Sequence, residues 1–415
     1  MTLPLCGYVY YSTNAMNHAK QHVRRVVIVG GGFGGVKAAL LLARHADMHV
    51  TLISDRDHFI YYPSLYAVAT GGSQCQSFVP LTQIFAGTAV TLIIDTIVGY
   101  DPHRHLVRGL DREYSYDRVI FALGVVTSYF GIKGLETYSF GIKSQSEVAR
   151  FRRHLHDQLT STRHLDAQYV VVGAGPTGVE LASSLAQYID HIAQAHHVRH
   201  SRIRIALVEA APRVLPKMSE AASRTITQRL KAVGVSVMTS EKVEWQDDDE
   251  VVVNGRSLPT HTVVWTSGVA NHPFFAQHGA HFQLSPNGRV IVDAHMMSGP
   301  ATYVIGDNAA TPHGGLAQTA LHDAHYVGRD ILRDHRHQAR PAYTAYAPPV
   351  VIPVGKNWAL LEWGTLRISG FLGHVLRRAA DLIGHRDILP LGLALRAWRG
   401  EHASDDDCAI CQKNR

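Results

Sequence analysis

The strongest constraint on the fold is an apolar strand that runs directly into closely spaced glycines. In "RRVVIVGGGFGG" the strand leads into Gly30-x-Gly32-x-x-Gly35, and "VKAALLLARH" continues as a helix. The first glycine permits a tight turn, the second lets the backbone approach a pyrophosphate, and the third lets helix and strand pack closely. A second strand, "MHVTLISD", ends at Asp55, where a carboxylate would bind ribose hydroxyls. The combination predicts a dinucleotide-binding α/β unit.

The same arrangement is repeated in the middle of the chain. "AQYVVVGAGPTGVELASSLA" contains Gly173-x-Gly175-x-x-Gly178 between another apolar strand and another helix. The next strand ends at Glu209, whose carboxylate would bind an adenosine ribose and repel a 2′-phosphate, so NADH is favoured over NADPH. Arg213 lies nearby and moderates this preference. Two such units predict two dinucleotides, a flavin and a nicotinamide, with hydride passing between them.

Three further segments make the resemblance to a known family specific. "YDRVIFALGVVTSYFGIKGL" and "TVVWTSGVANHPF" are similar to the crossover segments of two-dinucleotide flavoproteins, and "ATYVIGDNAAT" is similar to their second FAD fingerprint. With the glycine motifs, they make the chain from about residue 24 to 400 resemble the type II NADH dehydrogenases, single-chain NADH:quinone oxidoreductases. The resemblance implies an α/β protein with two Rossmann-like domains, for FAD and NADH, and a C-terminal amphipathic helical module.

The resemblance also implies a set of cofactor-binding residues. FAD would be held by Gly30, Gly32, Gly35 and Asp55, with Asp307 on the ribityl chain, and NADH by Gly173, Gly175, Gly178 and Glu209. The set is completed by Ala122, Gly124, Gly268, Gly306 and Ala317. No sequence feature calls for a covalent flavin link or for a bound metal.

Three residues are the candidates for catalysis. Glu180 corresponds to a family glutamate beside the flavin and the nicotinamide, and Gln318 to the first Gln of an Ala-Gln-x-Ala-x-Gln motif at the quinone site. The second Gln of that motif is His322 here. An imidazole could supply a proton to a quinone, could mark a different acceptor, or could simply pack in the helix. The N-terminus of the helix near Leu316 would stabilise negative charge on the flavin.

The order of the motifs predicts how the chain is divided. The FAD domain is split into residues 24–142 and 270–345, and the NADH domain, residues 143–269, is inserted into it. Residues 1–23 form an N-terminal extension, residues 346–403 a C-terminal module, and residues 404–415 a tail.

The C-terminal module is predicted to be amphipathic. "LRISGFLGHVLRRAADLIGHRDI" places seven apolar residues on one helical face and four polar residues opposite; the apolar ones are Ile368, Phe371, Leu372, Val375, Leu376, Ala379 and Ile383, and the polar ones His374, Arg377, Arg378 and Asp381. "ILPLGLALRAWRG" adds a second apolar stretch. In the resembled family this region docks on the membrane and admits a lipid quinone. The alternatives are a helix that covers the FAD domain and a homodimer contact.

Composition excludes several other classes of protein. Apolar residues make up 46% and charged residues 18% of the 415, as in folded globular proteins. The net charge of +6 is spread without a dense Lys/Arg block, so nucleic acid is not an expected partner. No apolar run reaches 18 residues, and we expect no transmembrane helix. A cytoplasmic protein, peripheral on the inner face of the cell membrane, is the predicted location.

The four cysteines do not indicate a disulfide framework. Cys6 and Cys75 are isolated, and Cys408 and Cys411 form a CxxC near the C-terminus. Such a pair could be redox-active or half of a zinc site, but a second ligand pair at metal spacing is missing, so an inert reduced tail is expected. Neither predicted domain contains a cysteine pair, which counts against a disulfide reductase and a sulfide:quinone reductase.

Two other functions remain open at this point. A reductase for a ferredoxin or rubredoxin would share both cofactors and differ in its docking surface. A redox-sensing flavoprotein would bind a partner after reduction by NADH and would turn over slowly.

Overall fold

The computed structural model describes residues 23–160, 168–197, 204–400 and Cys411. Most of the predicted N-terminal extension, including Cys6, and most of the tail, including Cys408, lies outside the described residues.

The elements before residue 140 belong to a parallel sheet and its outlying ribbons. In chain order they are β1 (Arg24–Val29), α1 (Phe33–Leu42), β2 (Met48–Ser54), β3 (His58–Ile60), α2 (Leu65–Ala69), β4 (Phe78–Pro80), α3 (Leu81–Ile84), β5 (Val90–Ile94), β6 (Gly99–Asp101), β7 (Leu106–Arg108), β8 (Glu113–Ser115), β9 (Arg118–Phe121), β10 (Val125–Thr127) and α4 (Leu135–Tyr138).

The middle of the chain repeats the strand and helix pattern. Its elements are α5 (Gln145–Thr160), β11 (Gln168–Val172), α6 (Pro176–Ala195), β12 (Arg204–Glu209), α7 (Glu220–Ala232), β13 (Val235–Thr239), β14 (Val243–Gln246), β15 (Glu250–Val253), β16 (Arg256–Pro259), β17 (Val263–Trp265) and β18 (Val269–Asn271).

The last part of the chain returns to the first sheet and then leaves it. Its elements are α8 (Pro273–Gln277), β19 (Met297–Gly299), β20 (Thr302–Val304), α9 (Ala317–His335), β21 (Val350–Pro353), β22 (Ala359–Trp363), β23 (Leu366–Gly370), α10 (Phe371–Ile388) and α11 (Leu391–Arg399). Short 3₁₀ turns lie at Tyr62–Ser64, Gln74–Gln76 and Gly306–Asn308.

Two parallel sheets carry the two glycine motifs. The first has the order β19-β20-β9-β1-β2-β5, parallel except for the edge strand β19, and the second has the order β13-β12-β11-β17. The strands β1 and β11 are almost fully buried, as expected of strands covered on both faces. The expected fold class, α/β with two Rossmann-like units, is confirmed.

The two sheets are joined by a short antiparallel ribbon. β10 leaves the first sheet and β18 leaves the second, and they pair with each other from Val125 opposite Asn271 to Thr127 opposite Val269. The chain therefore crosses between the sheets twice at one place. The carboxyl ends of β9 and β17 lie immediately before this ribbon, which brings the two glycine-containing edges toward each other.

The helix α5 begins at a capping box. The Ser144 hydroxyl accepts the N–H of Glu147 at 3.2 Å, while the Glu147 carboxylate accepts the N–H groups of Ser144 and Lys143 at 2.9 and 2.7 Å. This reciprocal pattern fixes the start of a helix at a position that the sequence Ser-x-x-Glu signals.

The C-terminal module differs from the expected helix in two respects. Residues Leu366–Gly370 form the strand β23 of a three-stranded antiparallel sheet, so the placement of Ile368 on a helical face was wrong. The helix starts only at Phe371, after Gly370, which has a φ of +88°. The alternation of Leu366 and Ile368 with polar neighbours suits a strand paired with β22. The turn at Gly364 joins β22 to β23.

No helix in the described part of the chain is both long and apolar enough to cross a bilayer.

Candidate cofactor and electron-transfer site

The first glycine turn has the shape of a cradle for a ligand. Gly30 has a φ of +117°, and a side chain there would overlap the carbonyl oxygen of Ala122. A side chain at Gly35 would overlap the carbonyl of Gly30, so this glycine is needed for close packing of α1 on β1. At Gly32, in contrast, an added Cβ would meet no protein atom within 4 Å. The space in front of Gly32 is therefore the space that a pyrophosphate would occupy, and the residues present fit the predicted group.

The second glycine turn has the same distribution of contacts. A Cβ at Gly173, where φ is +103°, would overlap the Ser267 side chain, and one at Gly178 would overlap the Gly173 carbonyl. A Cβ at Gly175 would meet nothing within 4 Å. In both turns the open position, Gly32 or Gly175, is the one that faces the ligand in a dinucleotide-binding motif. Packing within the protein does not explain why these two positions are glycine.

The helices α1 and α6, which begin at these turns, and the helix α9 lack side-chain caps. The N-cap positions of α1, α6 and α9 are Gly32, Gly175 and Leu316, and none of the three first turns contains an acidic residue. The first N–H groups of a helix need acceptors and carry a partial positive charge. All three N-termini therefore suit an anionic or electron-rich ligand. The predicted residues Ala317 and Gln318 form the first turn of α9.

The two predicted ribose-binding carboxylates follow β2 and β12. Asp55 has a side chain 55% exposed and pairs with its neighbour Arg56 at 3.1 Å. The Glu209 carboxylate accepts the N–H groups of Ala174 and Ala211 at 2.6 and 2.8 Å, so it is fixed against the second glycine turn. Arg213 donates to backbone carbonyls of the loop that follows β12, among them that of Met218 at 2.8 Å. Its guanidinium is committed to the loop and is not directed at a 2′-phosphate.

The segment around Asp307 is tied to the predicted crossover at Ala122–Gly124. The Asn308 side chain accepts the N–H of Gly124 at 2.8 Å and donates to the Gly124 carbonyl at 2.6 Å. It also donates to Asn271 at 2.7 Å, at the end of β18. Asp307, half-buried, accepts the N–H of Gly315 at 2.7 Å. The predicted residues Gly124, Gly306 and Asp307 are therefore brought together by Asn308, a residue that the sequence analysis had not selected.

Gly306 and Gly268 occupy conformations that suit glycine. Gly306 has a φ of +65°, and its N–H donates to the buried carboxylate of Asp323 at 2.9 Å. Burial raises the pKa of Asp323, although hydrogen bonds from Tyr343 and from Gly306 oppose the rise. Gly268 has a φ of +77°, and a side chain there would overlap the Ser128 carbonyl across the ribbon.

Glu180 lies in α6, 6% exposed, and is joined to the C-terminal module. Its Oε1 accepts a hydrogen bond from Arg377 Nη1 at 3.1 Å, and Arg377 is itself buried. Burial raises the pKa of Glu180 to about 7, against the opposing effect of the Arg377 charge. The pKa of Arg377 is raised by the carboxylates of Asp381 and Glu180, although burial opposes this rise. We take the guanidinium to be charged and Glu180 to be the group of the pair that titrates near neutral pH.

Arg377 is the centre of a larger buried polar cluster. It donates to Asp381 at 2.8 Å and to the carbonyl of Pro63 at 2.7 Å. The Tyr61 ring stacks on His385 with centroids 3.9 Å apart, and its hydroxyl donates to Asp381 at 3.4 Å. Burial holds the pKa of Tyr61 well above its usual value. The polar side of α10 thus faces the protein and connects the segment around Tyr61 with α6.

Gln318 and His322 are one turn apart on α9. Gln318 is exposed. The His322 Nε2 lies 2.9 Å from the carbonyl oxygen of Thr344 and donates to it, and the ring lies between those of Tyr343 and Tyr346, at 5.6 and 5.7 Å. The structure therefore places the two predicted acceptor-site residues on one helix face, with the Nε2 proton of His322 already engaged.

The apolar face of α10 is turned away from the protein. Phe371, Leu372, Val375 and Ile383 are 68%, 57%, 46% and 64% exposed, and Leu391 at the start of α11 is 55% exposed. The helix contacts the predicted FAD domain through its other side, where Arg377 and Asp387 bind Pro63 and Lys37. The buried residues of the helix are Arg377, His385, Ile388 and Gly373, of which Gly373 packs against β22.

Several residues with a place at the site were missed by the sequence analysis. Lys143 lies between α4 and α5 and is half-buried. Burial lowers the pKa of its amine, and the charges of Glu147 and Asp307 oppose this change. Arg377 had been assigned to the polar face of the helix, but its contact with Glu180 joins residues 197 positions apart. For Lys143 the only sequence signal was a single lysine just before a capping box.

Comparison with known proteins agrees with this geometry. Residues 24–324 match the pyridine nucleotide-disulphide oxidoreductase family, and the chain belongs to that family. Within it, the chain is similar to the type II NADH:quinone oxidoreductases Ndh and NdhA of Mycobacterium tuberculosis. Identity is 28% over 85% of this chain and 82% of Ndh, and 29% over 90% of this chain and 86% of NdhA. The resemblance to type II NADH dehydrogenases inferred from the sequence is confirmed.

Solved structures establish the fold over most of the chain. The structure of NDH2 from Plasmodium falciparum in complex with NADH superposes with a TM-score of 0.83 and 17% identity, covering 91% of this chain and 97% of that one. The sulfide:quinone oxidoreductase of Aquifex aeolicus superposes with a TM-score of 0.75 and 18% identity, covering 92% of this chain and 93% of that one.

Proposed function

We propose that this protein is a non-proton-pumping NADH:quinone oxidoreductase that uses FAD. The observation that carries the proposal is the pair of glycine turns in which Gly32 and Gly175 face open space beside uncapped helix N-termini. The relatives named type II NADH:quinone oxidoreductase, which align with most of this chain, support the choice of electron donor and acceptor.

The first sheet supplies the FAD site in this proposal. FAD, when bound, accepts a hydride from NADH and passes two electrons to the quinone. Gly30, Gly32 and Gly35 leave room for its pyrophosphate, Asp55 binds the ribose, and Asp307 binds the ribityl chain. Ala122, Gly124 and Gly306 shape the wall of the site, and the α9 N-terminus at Ala317 faces the electron-rich edge of the ring. The FAD domain comprises residues 24–142 and 270–345.

The second sheet supplies the NADH site. Gly173, Gly175 and Gly178 admit the pyrophosphate, and Glu209 binds the adenosine ribose and disfavours NADPH. From the family resemblance, Glu180, one turn into α6, would lie beside the flavin and the nicotinamide, and Gly268 lets the chain cross back between the sheets. This NADH domain comprises residues 143–269, and its helix α6 is held to the C-terminal module, residues 346–403, by Arg377.

The quinone is bound beside the first turns of α9. Gln318 offers a donor and an acceptor to a quinone carbonyl, and His322 lies one turn further along the same face. The hydrogen bond from His322 to the Thr344 carbonyl holds the Nε2 proton in place, so a proton passes from this ring only when that bond exchanges.

The C-terminal module attaches the protein to the inner face of the cell membrane from the cytoplasm. The support is the outward apolar face of α10 and α11, accompanied by the exposed Arg386, Arg396 and Arg399, which suit anionic headgroups. Flotation with anionic lipid vesicles tests this attachment, with Leu372→Gln losing binding and Leu110→Gln, also exposed, retaining it. Vesicle binding that Leu372→Gln leaves unchanged would contradict the assignment, and a dimer that this variant dissociates would favour a homodimer contact.

Stopped-flow mixing tests the electron transfer. Purified protein should be yellow, should bleach on mixing with NADH, and should recover its colour on mixing with a short-chain quinone. Recovery with a ferredoxin or rubredoxin and none with quinones would favour the protein-acceptor alternative. Slow recovery with every acceptor, together with an NADH-dependent change in association, would favour a redox sensor.

A further inference from the structure

A cluster of metal-ligating side chains lies far from the glycine turns, where Cys411 meets α5 and the end of α6. It consists of His156 on α5, His196 just after α6, and Cys411. The potential ligand atoms of all three lie within 4.8 Å of one another. Cys411 is fully buried, and both histidines are half-buried.

Two of the three distances between ligand atoms in this cluster match those expected around one tetrahedral ion. The Nε2 atoms of His156 and His196 are 3.2 Å apart, and the Cys411 sulfur is 3.5 Å from His196 Nε2. Zinc–nitrogen bonds of about 2.0–2.1 Å and zinc–sulfur bonds of about 2.3 Å at tetrahedral angles give about 3.3 Å between two nitrogens and about 3.6 Å between nitrogen and sulfur. The two imidazole planes are inclined by 79°, with their ring centroids 4.9 Å apart.

The helix termini favour a cation at the same place. α5 ends at Thr160 and α6 at Ala195, and neither has a basic residue in its last turn. Helix C-termini carry partial negative charge, which a bound cation would neutralise. The Cys411 backbone is also held there, because its carbonyl lies 3.2 Å from His191 Nε2 and accepts its proton.

We propose that His156, His196 and Cys411 bind one zinc ion that fastens the C-terminal segment to the ends of α5 and α6. Imidazole nitrogen and thiolate sulfur are ligand atoms that zinc prefers in proteins, these three residues leave one tetrahedral position to a fourth ligand, and a soft thiolate disfavours magnesium and calcium. The assignment stands on these three residues; Cys408 completes a C-x₂-C spacing in the sequence but lies outside the described residues. The expectation of an inert tail assumed that no second ligand pair was available, and the fold supplies one from two distant helices.

This site is structural and stands apart from electron transfer. α6 has 20 residues, so its C-terminal end is about 30 Å from the glycine turn at its N-terminus. The zinc ion would hold Cys411 against α5 and α6, and its binding would require the thiol as thiolate and both imidazoles in the neutral form.

Metal analysis of the full-length chain tests the proposal. The protein should be purified without a histidine tag or a metal column, because its 27 histidines would otherwise collect adventitious metal. We expect about one zinc per chain by mass spectrometry of the metal content, with a dissociation constant below about 1 μM in competition with a chelator. His156→Ala, His196→Ala and Cys411→Ser should each lose the zinc.

Matched controls and a spectroscopic readout keep the test independent of folding. His197→Asn replaces the exposed neighbour of His196 at a φ of +55°, which asparagine tolerates, and Cys75→Ser replaces a thiol elsewhere; both should retain one zinc. Cobalt-substituted parent protein should show the strong visible bands of a tetrahedral site and a thiolate charge-transfer band that Cys411→Ser abolishes. Natively folded parent protein that takes up no zinc or cobalt, or zinc retained in full by the three ligand variants, would overturn the assignment.

Discussion

Arg377 Nη1 lies 3.1 Å from Glu180 Oε1, and this contact joins the outermost helix of the C-terminal module to the helix that follows the second glycine turn. Both side chains are buried, at 8% and 6% exposure. The apolar surface of α10 and the interior of the NADH-binding unit are therefore linked through one guanidinium. A change at the outward face of α10 can reach Glu180 through a single side chain, and the two residues can be tested together.

Removing the guanidinium should destabilise the protein. Arg377→Met leaves Glu180 and Asp381 buried without their cation, and breaking a buried ion pair in this way costs about 3–5 kcal/mol. The same substitution at the exposed Arg386, nine residues further along the same helix, should cost little. Thermal unfolding of the two variants compares them directly, and equal transition temperatures would show that the buried pair does not contribute to stability.

The titration of Glu180 predicts a pH dependence of stability. Its pKa is raised from 4.5 to about 7 in the folded protein, so the folded state binds a proton that the unfolded state has lost. The resulting stabilisation is fully present below pH 4.5 and is lost as pH rises through 7, of the order of 3 kcal/mol in total. Glu180→Gln should remove this dependence, and Glu220→Gln, at an exposed position of α7, should not. Parallel stability curves for Glu180→Gln and the parent from pH 5 to 8 would contradict the assignment.

The two open glycine positions should separate the two cofactors. Gly32→Ala adds a methyl group that meets no protein atom, so the chain should fold but lose flavin affinity by at least about tenfold, and Gly32→Val should lose it entirely. Gly175→Ala should keep the flavin and weaken NADH binding instead. Flavin content after gel filtration and NADH titration measure the two effects. A Gly32→Val protein that remains folded and yellow would refute the FAD assignment.

Cofactor selectivity should depend on Glu209. Glu209→Gln removes a charge that repels a 2′-phosphate and that binds ribose, and charge-assisted hydrogen bonds are worth about 1.5–3 kcal/mol. The ratio of kcat/KM for NADH over NADPH should fall roughly ten- to a hundred-fold. If the ratio stays unchanged, Arg213 becomes the next residue to vary, although its bonds to loop carbonyls argue against that role.

The acceptor half of the reaction should depend on His322, and the NADH half should not. His322→Ala should leave flavin reduction nearly intact and slow reoxidation by quinone, by about 10²–10⁴-fold if the ring supplies a proton. His322→Gln restores the family residue and should reoxidise at least as fast as the parent. Stopped-flow absorbance resolves the two halves. Both variants reoxidising at the parental rate would remove the quinone site from this segment and favour a protein acceptor.

Local patterns were sufficient to predict the glycine turns and their strands. The residues that define them lie within one strand, turn and helix, so Gly30, Gly173 and the ends of β2 and β12 could be placed from spacing alone. The pattern at residues 366–370 was misleading, because Ile368 also fits a helical period with Phe371 and Leu372. Pairing with β22, a contact between separate segments, decides for the strand.

Contacts between distant residues could not be predicted in this way. Asn308 bonds to Gly124, 184 positions away, and Arg377 bonds to Glu180, 197 positions away. The sequence also did not determine which face of α10 packs against the protein. An amphipathic pattern shows that a helix has an apolar and a polar face but does not show which one the protein covers. Here the polar face is covered, since it carries partners for Glu180 and Tyr61.

The insertion of the second sheet into the first has a consequence for synthesis on the ribosome. β9 is the neighbour of β20, but 180 residues separate Phe121 from Thr302, and they require about 10–40 s of translation. During that interval the whole inserted unit emerges and can fold, while the edge of β9, with Val119 and Phe121, waits without its partner strand. The nascent chain therefore exposes an apolar strand edge of a kind that chaperones cover, until the segment around Asp307 arrives to close the sheet.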